Sequence, residues 1–155
     1  MYNRGELYNM CIQKGTLTTE ERYKINHHMV QTIAMLGQLP FPKHLLKVPE
    51  IAGGHHETMI GTGYPKRLSK EDMTLPARMM AIADIFEALT ACDRPYKKAK
   101  TLSESLKILW FMKKDQHIDP DLFELFLKSG VYKTYADKFL MESQIDEVDI
   151  SQYLD

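Results

Sequence analysis

At 155 residues and 18.0 kDa the chain has the length of one domain and enough residues to bury a sizeable core. Lys plus Arg number 20 against 21 Asp plus Glu, a formal charge of -1, which excludes a basic protein that grips duplex nucleic acid; no apolar run approaches the ~18 residues of a membrane-spanning helix. Cys11 and Cys92 make no zinc-type pair, and the N-terminus lacks the basic-then-apolar pattern of a signal peptide, so the expected compartment is the reducing cytoplasm.

A first helix is expected before Gly15. Over 18–37, Ile25, Met29, Ile33 and Leu36 fall at spacings of four, four and three and predict one helix, opened by a Thr18–Glu21 capping box. Leu39-Pro40-Phe41-Pro42 turns the chain, and a shorter helix is expected over 45–52. Gly53, Gly54, Gly61, Gly63 and Pro65 crowd together and leave 53–73 as a loop. Helical spacing returns over 75–91 in Met79, Ile82, Ile85, Phe86 and Leu89, with Pro76 in the first turn. Thr101 and Glu104 repeat the capping-box pattern ahead of Leu102, Leu106, Leu109 and Met112. Asp119 before Pro120 opens a helix carrying Leu122, Leu125 and Phe126, which Gly130 ends. A last helix runs through Tyr135 and Phe139, and the acidic stretch 142–155 reads as a weakly packed tail behind a domain of residues 1–141. With no alternating strand pattern, the fold class is all-α.

Three histidines stand out by position. His28 falls beside Ile25, Met29 and Thr32, which directs its imidazole towards the packed interior, where a core histidine bonded to a carbonyl is the plain alternative; His27 points away by about 100° and is expected at the surface. His55 and His56 are adjacent, so their side chains diverge and suit two neighbouring metals better than one; a solvated loop pair is the alternative. Asp84 lies between Ile82 and Ile85 in an apolar helix, where an unpaired carboxylate is expensive to desolvate. Arg78, another cation or a metal can neutralise it, and three imidazoles with one carboxylate suit Mn, Fe, Ni or Zn. Arg94 and Lys97 concentrate positive charge in a connector, either as a solvated link or as a phosphate clamp.

The order His55-His56-Glu57, Gly61-Thr62-Gly63-Tyr64-Pro65, Pro76-Ala77-Arg78 leading to Ala81-Ile82-Ala83-Asp84, and Arg94-Pro95-Tyr96-Lys97 resembles the HD-GYP phosphodiesterases over residues 15–130, including the Ile118-Asp119-Pro120 element. The resemblance implies an all-helical bundle of the HD superfamily. It also implies two or three metal ions in an intact domain, and hydrolysis of a cyclic dinucleotide, chiefly cyclic di-GMP, by metal-activated hydroxide. Carried over, it makes His28, His55, His56 and Asp84 metal ligands for more than one ion. Gly63, Tyr64 and Pro65 become substrate-binding residues, with Tyr64 against a guanine base, and Arg94 and Lys97 hold phosphate. No catalytic residue is implied beyond the metal ligands. A sensory domain upstream and a GGDEF-type partner are the implied associations.

The chain departs from that pattern at Ile60, where the family carries an acidic residue, at Glu87, where aspartate is usual, and by one extra residue between Ala88 and Arg94. Residues 1–26 contain no histidine, so the His-Asp doublet of the superfamily is absent, and the expectation is the C-terminal portion of a longer protein. Ile60 supports an alternative of another class, a regulatory module that binds a nucleotide or a GGDEF-type partner without turnover. A purely structural helical domain leaves Asp84 and the histidine pair without a reason.

Overall fold

The computed structural model describes residues 5–11, 17–92 and 99–154, with only the backbone of residues 7 and 9. The described residues form helices α1 (Glu6–Met10), α2 (Thr19–Asn26), α3 (His28–Gly37), α4 (Val48–Gly53), α5 (Leu75–Thr90), α6 (Leu102–Lys114), α7 (Pro120–Lys128) and α8 (Val131–Phe139). Among them the sole extended pairing is an isolated bridge between Ile60 and Ser69.

Local signals start these helices where the sequence places them. Thr18 Oγ1 accepts from the Glu21 amide at 3.1 Å while the Glu21 carboxylate accepts from the Thr18 amide at 2.8 Å, so two orphan donors of α2 are satisfied reciprocally. Thr101 and Glu104 do the same for α6. Asp119 caps α7 through the Asp121 amide, with Pro120 in the first turn. Gly130 adopts φ +71 and joins α7 to α8, a backbone state in which a side chain is strained.

Three expectations are corrected. The single helix over 18–37 divides at His27, whose amide still donates to the Tyr23 carbonyl at 2.9 Å, while the Ile25 carbonyl is taken up by the His28 imidazole. The helix expected over 45–52 is a 3-10 turn, Lys43–Leu45, followed by α4, with Pro49 in its first turn where a missing N–H costs nothing. The stretch 142–155 is not weakly packed. Gln144 is buried and its amide donates to the carbonyls of Thr90 (2.8 Å) and Lys100 (3.1 Å), Asp146 accepts from the Ser103 amide, and Tyr153 joins the main core.

That core gathers Ile82 and Phe86 of α5, Leu102, Leu106 and Leu109 of α6, Phe123 and Leu127 of α7, and Tyr132 and Ala136 of α8. Helices α3, α4 and α5 approach closely on the other side. A Cβ on Gly53 would lie 2.7 Å from Ile33 Cγ1, and one on Gly54 would lie 3.1 Å from the Ala77 Cβ, so these two glycines let three helices meet. The chain leaving α4 therefore emerges against α5, opposite Asp84.

Candidate metal centre

His55 and His56 follow α4 directly, and Asp84 faces them from the middle of α5. One ligand atom from each of the three lies within 4.8 Å of the others, and all three side chains are half-buried. The adjacent pair and Asp84 thus lie close enough together to hold a metal ion. His55 Nδ1 lies 2.7 Å from the Ala52 carbonyl oxygen, which can only accept, so the proton sits on Nδ1 and Nε2 is left as a ligand. His28 is constrained likewise, with Nδ1 bonded to the Ile25 carbonyl. Its ring is exposed, contrary to the interior direction read from the sequence, and stands edge-on to His56 with centroids 5.3 Å apart. The break after α2 turns His28 out of the core and towards the histidine pair.

His56 is the hub. Its ring lies 4.4 Å from His55 and 4.9 Å from Tyr64, the latter nearly parallel at 17°. Burial holds the His56 imidazole below the ordinary histidine range, and His55 reinforces this while Asp84 opposes it. The neutral, ligating form is therefore favoured. Burial and the Asp84 charge push the Tyr64 phenol up, keeping it a protonated donor.

Asp84 is not neutralised by Arg78. The Arg78 guanidinium pairs instead with Asp119, which is 1% exposed and also receives Lys70 Nζ at 3.3 Å. Among the described residues no hydrogen bond or salt bridge reaches the Asp84 carboxylate. A half-buried carboxylate with no protein cation, facing two imidazoles whose free nitrogens converge on it, fits a divalent ion.

The loop after the histidines is held by Glu57, which the sequence motif includes without giving it a role. Glu57 is 1% exposed, and its carboxylate accepts from the backbone amides of Lys66 (2.7 Å) and Leu68 (3.0 Å). The Tyr64 amide donates to the His56 carbonyl at 3.2 Å, and Thr58 Oγ1 accepts from the Thr62 amide at 2.9 Å. Gly63 packs so closely on this segment that a Cβ would sit 2.4 Å from the Glu57 Cα. Pro65 follows Tyr64 through a cis peptide bond. The adjacency of Glu57 to the histidine pair was its signal, but the amides it anchors lie nine and eleven residues onward.

Beside the centre opens a cleft of about 740 Å³, walled on one side by Tyr23, Asn26, His27 and Val30 and on the other by Gly61–Pro65 and Arg67. His27, expected at the surface, is half-buried in that wall. Gly63, Tyr64 and Pro65 are thereby placed together with His56. Arg94 and Lys97 lie outside the described residues.

An all-helical chain with this histidine and aspartate arrangement matches the HD domain model over residues 1–122, and the chain belongs to the HD domain family. It is similar to a cyclic di-GMP phosphodiesterase of Pseudomonas aeruginosa, 40% identical over 79% of this chain and 28% of that protein. It is also similar to two proteins of Vibrio cholerae. One is a probable cyclic di-GMP phosphodiesterase, 36% identical over 77% of this chain and 28% of that protein. The other is a 3'3'-cGAMP-specific phosphodiesterase, 32% identical over 78% of this chain and 24% of that protein. The chain spans about a quarter of the length of these curated relatives. No helix among the described residues is long and apolar enough to cross a membrane.

Proposed function

We propose that this chain carries the metal centre and the base-binding loop of a metal-dependent phosphodiesterase that hydrolyses a cyclic dinucleotide, cyclic di-GMP first. The observation that carries the reading is the convergence of His55, His56 and Asp84 on one space, next to a loop whose Tyr64 stacks on His56. Relatives named for two cyclic dinucleotides support the substrate class.

His55, His56 and Asp84 hold the ion, with His28 at the edge of the same cluster. A bound Fe, Mn, Ni or Zn ion supplies Lewis acidity towards a phosphoryl oxygen and a hydroxide nucleophile at neutral pH. Tyr64 offers an aromatic surface to a base and a phenol that keeps its proton, and Glu57 fixes the backbone that carries it. Arg94 and Lys97 hold phosphate in this reading. The site of action is the cytoplasm, with a sensory domain upstream and a GGDEF-type protein as partner.

The test is elemental mass spectrometry of the purified chain, with His56→Ala as control, followed by assay of the Mn- or Fe-loaded protein on cyclic di-GMP and 3'3'-cGAMP. A bound metal that disappears in the control, with conversion to linear dinucleotide, is the expected result. Saturable binding without product supports the regulatory alternative that Ile60 suggests. Neither metal nor nucleotide binding overturns both.

A further inference from the structure

Arg67 holds φ +57, a left-handed backbone in which an arginine is strained and a glycine is not. The loop requires this conformation. Gly61, itself at φ +73, lies back to back with it, and a Cβ on Gly61 would meet the Arg67 carbonyl at 3.2 Å. Loop closure therefore favours glycine at position 67 and gives no reason for arginine. The side chain is exposed, and no hydrogen bond or salt bridge to it is found among the described residues, so no local contact offsets the strain.

What surrounds Arg67 supplies a reason. It lines the 740 Å³ cleft together with Tyr64 and Tyr23, and no residue lining that cleft is a carboxylate. The cleft thus offers aromatic surface for bases, a volume in the range of small-molecule sites, and one permanent cation without a partner. A guanidinium matches a phosphodiester through forked, charge-assisted hydrogen bonds. We infer that Arg67 is a substrate-binding residue, retained against its backbone cost to hold a phosphodiester of the cyclic dinucleotide in the cleft. This rests on the cyclic-dinucleotide reading above and adds a residue to it.

The experiment is calorimetric titration of the full chain with cyclic di-GMP and with 3'3'-cGAMP, in chelator and again with Mn supplied, alongside thermal unfolding. Arg67→Gly relieves the strain, so its Tm stays level or rises by up to about 3 °C, while affinity for both nucleotides falls about tenfold. Arg67→Asn, which tolerates the left-handed backbone but lacks the charge, weakens binding similarly, and Arg67→Lys recovers part of it. Unchanged affinity in Arg67→Gly with wild-type binding intact overturns the role of Arg67 alone. A loss confined to cyclic di-GMP overturns the phosphate assignment in favour of a base contact. Weaker binding that tracks a lowered Tm in both Arg67→Gly and Arg67→Asn overturns the binding role in favour of a structural one. No binding of either nucleotide by the wild-type chain, with or without the metal, overturns the cyclic-dinucleotide reading and this inference with it.

Discussion

Tyr64 lies almost flat against His56, ring centroids 4.9 Å apart and planes inclined by 17°, so one aromatic side chain both covers a proposed metal ligand and lines the cleft beside it. The stack joins the loop to the candidate metal centre. Tyr64→Ala uncovers the His56 ring and lowers metal affinity about tenfold, the scale of a lost supporting contact around a ligand. Tyr64→Phe keeps the stack and the affinity. Titration against a competing chelator distinguishes the two.

Glu57 anchors the same loop from beneath. Removing its carboxylate leaves the Lys66 and Leu68 amides without acceptors in a buried setting, and Glu57→Ala costs about 3 kcal/mol. Amide hydrogen exchange locates the effect, with protection falling first at Lys66 and Leu68. Glu57→Gln keeps one acceptor oxygen and loses about half as much stability.

Gly63→Ala places a methyl group against three backbone atoms, the Glu57 Cα (2.4 Å), the His56 carbonyl oxygen (2.6 Å) and the Thr58 nitrogen (2.7 Å), none of which can swing aside. The loop must move, at a cost of about 2 kcal/mol. Gly37→Ala on α3 meets nothing within 4 Å and is neutral or mildly stabilising. Urea unfolding of the two variants gives the comparison.

The Arg78–Asp119 pair ties α5 to the start of α7. Burial alone raises the Asp119 carboxyl, but hydrogen bonds from Arg78 and Lys70 outweigh it and hold the group below the usual carboxylate range. A depressed carboxylate contributes stability in full above its unfolded value and loses it as pH falls through the folded one. The Tm of the wild type therefore drops on acidification below about pH 4, and less steeply in Asp119→Asn. At neutral pH Arg78→Met leaves the buried Asp119 carboxylate to Lys70 and the Asp121 amide and costs about 2 kcal/mol, and Asp119→Asn in the same chain, which removes the charge and keeps an oxygen for the α7 cap, recovers much of it.

The sequence by itself determined the helical class, the caps at Thr18, Thr101 and Asp119, and the loop between α4 and α5, because hydrophobic period, capping and glycine or proline chemistry act within a few residues. It also singled out His28, His55, His56 and Asp84, since an acid in an apolar helix and a histidine pair in a glycine-rich loop are visible without coordinates. Only the tertiary structure decided the pairings. Asp84 is the nearer acid along the chain to Arg78, yet the guanidinium goes to Asp119, 41 residues away. Glu57 serves amides beyond a turn, the stretch 142–155 folds back through Gln144 onto Thr90, and His28 leaves the core where α2 ends. Each of these depends on which groups the packed helices bring within hydrogen-bond reach, and sequence spacing carries no such distance.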